Sequence, residues 1–292
     1  MRKIGFVLMA LAAAAMPALA QQRVDEKRPA GKDGTVEIRN VAGSVKVTGW
    51  DREEVSVTGT LGKGTERLEF SGSGKSTLVK VVLPHTSQHV DGSDLEIKVP
   101  AASTVDVETV SADITAEKVS GALKLESVSG NVTAGGDPAK FDARSVSGDV
   151  EITAASAPGR AKSVSGDVTL KGVAGAVEAG SVSGKVSVTG GEVSGVELET
   201  TSGNIRFAGG LAKNARLDAK TVSGEVELIL PADVAADFDL TTFSGEIINE
   251  LGPPARRTSE YGPGKELSFS TGGGGARVEA KSFSGSVYLR KR

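Results

Sequence analysis

Cysteine is absent from the 292 residues. No disulfide can staple this fold, no cysteine can carry a lipid anchor, and no thiol nucleophile is available. Histidine is nearly absent: His85 and His89 are the only two, and both lie in one short segment. A Ser-His-Asp arrangement drawn from distant parts of the chain therefore has little to work with. Aromatics are few, with 8 Phe, 2 Tyr and 1 Trp, against 38 Gly. That balance argues for repeated packing of small residues rather than a conventional globular core. A basic excess is missing too. The net charge is −3, which argues against nucleic acid as a partner.

Long apolar runs are missing beyond the first residues. "IGFVLMALAAAAMPA" follows Arg2 and Lys3 and leads to "ALA" at Ala20. It is short for a bilayer span, and its positive start and small-x-small end have the form of a signal peptide. Cleavage after Ala20 would remove two positive charges, taking −3 to −5. The chain is expected in the periplasm or outside the cell, with no membrane span. Residues 21–32 are polar and are expected to be a disordered tail.

A repeat dominates the rest. SVSGDV occurs at 145–150 and again at 163–168. Aligned on one corner residue, the units fall at Ala112, Gly130, Gly148, Gly166, Gly184, Gly203, Gly224, Gly245 and Gly285. The steps are 18, 18, 18, 18, 19, 21, 21 and 40 residues, and the last suggests two coils, one without the signature. Apolar residues flank each corner at even spacing, as in Val146, Val150 and Ile152, or Val164, Val168 and Leu170. Even spacing predicts one inward face of an extended chain, and no helical periodicity competes with it. The expected fold is all-β: a single-stranded β-solenoid of about 18–21 residues per coil with parallel stacked strands. It covers 33–292 as one unit. Irregular coils fill 33–100 and regular repeats 101–251. A Pro/Gly-rich excursion with one strand near 267–270 fills 252–275, and a terminal coil 276–292. The closing "VYLRKR" reads as a charged edge strand that discourages end-to-end pairing.

"VEIRNVAGSVKVTGWDREEVSVTG", "LEIKVPAASTVDVETVSADI", the SVSGDV units, "GEVELILPADVAADFDLTTFSGEI" and "AKSFSGSVYLR" together resemble a bacterial family of β-strand repeat proteins whose working label is adhesin. The likeness spans nearly the whole chain beyond the signal segment. It implies a right-handed β-helix in the cell envelope and carries over no catalytic residue and no cofactor.

Candidate chemistry is sparse. "SGSGKST" at 71–77 imitates a phosphate loop, but Glu69 stands where that motif needs Gly, and a strand pattern follows instead of a helix. His85 and His89, near Asp91 and Asp94, are metal candidates in a loop. Asp149 and Asp167 are further metal candidates, belonging to an outward column one residue past each corner. Ser pairs flank each Val, as in Ser145 and Ser147. They read as satisfying turn amides, or as a hydroxyl grid for water, ice or sugar. In the excursion, Arg256, Arg257 and Tyr261 are the binding candidates, because Arg and Tyr dominate binding hot spots. The resulting expectation is a non-catalytic envelope module whose partner is a glycan, peptidoglycan or protein. The alternative is a carbohydrate-active enzyme with two carboxyl groups in a groove.

Overall fold

The structure is a computed structural model that describes residues 22–84, 90–154, 157–258 and 262–292. The described residues are all strand, turn or irregular, with no helix, and every strand joins one hydrogen-bonded system. Through the repeats the pairing is parallel, one coil to the next. On one side Ala122–Ser127 pairs with Lys140–Ser145 at an offset of 18, so that Leu123 meets Phe141 and Leu125 meets Ala143. On the other side Val132–Gly136 pairs with Val150–Ala154 at the same offset. Two ladders joined by corners thus follow from the repeat length, since each coil supplies one strand to each ladder.

The interior is a narrow apolar column. Val150, Ile152, Val168, Leu170, Val186 and Val188 are buried almost completely on one ladder. Leu123, Leu125, Val177 and Leu198 face them from the other. Each such side chain contributes roughly 1.5–3 kcal/mol, so stability accumulates coil by coil.

The corners depart from the expected pattern. Val110, Val128, Val146, Val164 and Val182 point to solvent, and Val146 is 45% exposed where Val150 is 1%. The even spacing across the corner misleads because the backbone turns there. Val146 and Ser147 both face out, while Ser145 and Gly148 face in. The first Ser of each pair is therefore internal. Ser145 Oγ accepts the Gly148 amide at 2.9 Å and donates to the Gly130 carbonyl of the preceding coil at 2.9 Å. Ser163 repeats both contacts one coil on. The corner glycine is required by proximity. A Cβ on Gly148 would lie 2.1 Å from the Gly130 carbonyl oxygen, and one on Gly166 2.1 Å from that of Gly148.

The ends are not wound in sequence order. The last strand, Val287–Lys291, lies between Val226–Leu230 and Ile247–Asn249 rather than on an edge. Space at the corners agrees: a Cβ on Gly285 would meet Gly224, and one on Gly245 would meet Gly285. The terminal coil is thus inserted between two coils that precede it, and no unmarked coil fills the 40-residue step. The intervening chain folds outside as a cap, with Lys265–Thr271 antiparallel to Ala236–Ser244 and Arg256–Arg257 antiparallel to that strand in turn. The opposite end uses the same device. Residues 35–39 lie between 76–80 and 104–108, both parallel. Residues 22–29 pair antiparallel with Glu54–Leu61, so the described part of 21–32 is strand rather than disordered tail. The pairing partner lies more than twenty residues away, and local polarity does not reveal it. Among the described residues the antiparallel strands cover the outer parallel strand Ala236–Ser244 at one end and Ser93–Pro100 at the other, which shields those edges from extension by another chain.

Parity at the corner is directly testable. Val150→Thr places a hydroxyl in the dry column and should cost about 1–3 kcal/mol, whereas Val146→Thr should stay within about 0.5 kcal/mol. Urea unfolding of both variants measures the difference, and equal costs would contradict the outward assignment of Val146.

Candidate ligand-binding groove

On the first ladder the residue just before each inward Val105, Leu123, Gly159, Val177 and Val196 is small, as Thr104, Ala122, Pro158, Ala176 and Gly195, while Lys140 holds the level before Phe141. These small side chains, with Lys140 standing among them, leave a trough along the stack axis. It encloses about 1030 Å³ and extends from Thr104 to Arg216. At about 4.8 Å per strand, seven paired strands make it about 30 Å long. Midway, Gly159 replaces the bulky inward residue found at neighbouring levels, and the Phe141 ring fills the vacancy. A Cβ at Gly159 would lie 2.5 Å from that ring.

Its wall is a row of charges set by cross-strand register. Asp106 pairs with Lys124, Lys124 with Asp142, Asp142 with Arg160, and Arg160 with Glu178. Opposite charges on adjacent strands support the sheet. The pattern then breaks: Glu178 adjoins Glu197, and Glu197 adjoins Asp218. Lys124 Nζ bridges Asp106 at 3.2 Å, Glu108 at 3.4 Å and Glu126 at 3.3 Å. Burial would lower the Lys124 pKa, but hydrogen bonding and the charges of Asp106 and Glu126 outweigh it and raise it. Arg160 Nε reaches Glu178 at 2.6 Å, and Lys162 pairs with the same carboxylate. Burial would raise the Glu178 pKa, yet these two cations hold it below its ordinary value. Lys140, Glu197 and Lys220 line the trough without an ion pair among the described residues. The trough therefore offers both signs of charge and a flat floor, which suits a long hydroxylated ligand bearing carboxylates and amines.

The expected site residues are scattered. Asp149 and Asp167 do form an outward column, but each accepts a main-chain amide from the next coil. Asp167 N–H reaches Asp149 Oδ1 at 2.8 Å, and Lys185 N–H reaches Asp167 Oδ1 at 2.7 Å. The column is a hydrogen-bond ladder that ties corner to corner. Among the described residues no three His, Asp or Glu side chains gather around a metal position. His85 and His89 lie outside the described residues, as does Tyr261. Arg256 and Arg257 are exposed on the cap, and Arg257 lines a smaller recess of about 510 Å³ with Glu246 and Lys265. The 71–77 stretch lies within the strand Arg67–Val82. Sequence reading missed the trough, because its floor comes from single residues on different coils that look like ordinary strand or turn positions.

The Toastrack DUF4097 family matches residues 29–178 and again 159–290. The chain belongs to the Toastrack family. The two matches overlap at 159–178, as expected when a repeat can slide by one coil along its own ladder. Solved structures similar to this Toastrack chain carry related names. One is described as a putative adhesin from Bacteroides fragilis, with 12% identity, 93% of this chain and 98% of that one covered, and a TM-score of 0.46. Another, described as a putative adhesin from Parabacteroides distasonis, has 9% identity, 94% and 98% coverage and a TM-score of 0.39. A putative lipid binding protein from Parabacteroides distasonis has 14% identity, 92% and 96% coverage and a TM-score of 0.35. No curated protein matches the chain.

The ion cluster at Glu178 gives a pH signature. Its folded pKa is depressed, so its contribution is complete above the ordinary value of 4.5 and is lost as pH falls through the depressed value. Glu178→Gln should therefore lower stability at neutral pH and flatten the acid limb of the stability curve below pH 4.5. Urea unfolding between neutral and acid pH checks this, and parallel curves for the two proteins would contradict it.

Proposed function

We propose that this Toastrack chain is an exported, non-catalytic binding module of the cell envelope. Its fold is a right-handed β-solenoid over 33–292 whose ends are wound out of sequence order and capped by antiparallel strands, with residues 22–29 as an edge strand. It holds an elongated envelope glycan, such as a peptidoglycan strand, lengthwise in the trough. The observation that carries this reading is the trough itself: about 1030 Å³, aligned with the stack, floored by small residues and walled by charges of both signs. Sugar rings lie flat on such a floor, and Lys140, Glu197 and Lys220 can meet carboxylates and amines on the ligand. Arg256 and Arg257 offer a smaller second contact on the cap. Residues 1–20 serve as the signal peptide.

Catalysis is the weaker reading. A glycosidase acid needs a raised pKa, whereas Glu178 is held low and Asp106 and Asp142 are occupied by Lys124 and Arg144. The adjacency of Glu178, Glu197 and Asp218 is its best support, since three carboxylates sit side by side in register.

Binding of the purified protein to soluble peptidoglycan fragments and envelope polysaccharides, measured by calorimetry, tests the proposal. Lys140→Glu combined with Glu197→Lys should weaken binding at least about tenfold, or about 1.4 kcal/mol. Absence of binding to every glycan would overturn it, and release of reducing sugar would favour the enzyme. Export has its own measurement. Protein isolated from cells should begin at Gln21 by mass spectrometry, and a chain retaining Met1 would refute this route.

A further inference from the structure

The outward corner residues form an apolar ridge. It starts at Val41, passes through Val110, Val146 and Val182, and ends on Phe283 and Phe243. The alignment is fixed by the main chain: Ser147 N–H donates to the Val128 carbonyl at 2.9 Å and Ser165 N–H to the Val146 carbonyl at 2.9 Å. At the far end the Phe243 and Phe283 rings stack with centroids 4.8 Å apart. Exposure along the ridge runs from 37% at Val41 to 57% at Phe283. Thr201 is the one polar interruption.

Strand propensity explains a Val at any one such corner, but not exposed apolar side chains at nine of ten levels. The nine side chains together present on the order of 700 Å² to water, close to the roughly 800 Å² that each partner contributes to a stable interface.

We propose that this ridge is the interface of a parallel homodimer, with the two-fold axis running along the ridge. A second copy is the occupant that the geometry favours, for two reasons. Its ridge has the same rise per coil, so side chains stay in step over the whole length, and any partner with another repeat would lose register. The flanks are also complementary. A two-fold axis along the ridge sets the residues just past each corner against the residues just before the same corner in the other copy. At three levels Asp149, Asp167 and Glu225 then face Arg144, Lys162 and Lys220 of the second copy, against one like-charged level where Asp113 faces Glu108. An antiparallel arrangement would instead oppose the two acidic columns, at a cost.

The absence of cysteine makes the test clean. Light scattering at micromolar concentration should give twice the chain mass. Val146→Lys with Val164→Lys should give the single mass with an unchanged circular dichroism spectrum, because both positions are exposed and their replacement does not enter the core. Val128→Cys and Val222→Cys, made separately, should each oxidise to a covalent dimer. An antiparallel pairing would place each far from its own copy, so failure of both to cross-link overturns the parallel arrangement. A monomeric parent, or a dimer insensitive to the double lysine variant, overturns the interface. Ridge-dependent binding of a monomer to phosphatidylcholine vesicles would also overturn it and assign the ridge to lipid.

Discussion

Everything in this molecule depends on the contact between corner backbones. A glycine at the corner lets one coil's Cα approach the carbonyl of the coil before it, closer than any side chain would allow. The neighbouring internal Ser then meets two needs with one hydroxyl, accepting an amide from its own coil and donating to a carbonyl of the previous one. Buried main-chain groups left unpaired at a turn cost roughly 1–3 kcal/mol each, and the paired contacts recur at Ser127, Ser163 and Ser181. The column of Asp and Asn just past the corner does the same work on the outer side. Asn131 accepts the Asp149 amide at 2.9 Å, as Asp149 accepts that of Asp167. Two polar columns, one internal and one external, therefore lock the coil spacing, and the apolar column fills the space they define. The spacing in turn sets the length of the trough and the straightness of the ridge.

The repeat and its parallel stacking are legible in the residues, because 18-residue identity between SVSGDV units leaves one way to place Val150 over Val168. The orientation of Val146 is not. Period-2 reasoning assumes an unbroken strand, and the corner turns between Val146 and Val150 without changing their spacing. Ser145 was legible as a turn-satisfying hydroxyl, but its burial was not, since Ser145 and Ser147 look alike in sequence and only one faces in. Winding order at the ends is harder still. The insertion of Val287–Lys291 between two earlier strands is a long-range pairing, and every local feature of "VYLRKR" fits an edge strand equally well.

The inserted ends also explain how a thin stack can have sharp boundaries. In a solenoid wound in sequence order, the final coil touches one neighbour and frays at the free energy of a single interface. Here the terminal coil has a neighbour on each side, so releasing it requires breaking two ladders. The antiparallel cap then covers the outermost parallel strand, where Phe238 and Phe269 stack with centroids 4.7 Å apart. The chain end is thereby one of the better-held segments. This arrangement keeps the row of charges and small residues in register from Thr104 to Arg216, well inside both capped ends. Register matters there because a trough made of one residue per coil exists only while neighbouring coils do not slip. A shift by one residue would exchange the outward charges for inward valines and erase both wall and floor. The Ser–Gly corners that forbid such a shift are thus the condition for a ligand to find a continuous surface, although none of them faces the trough.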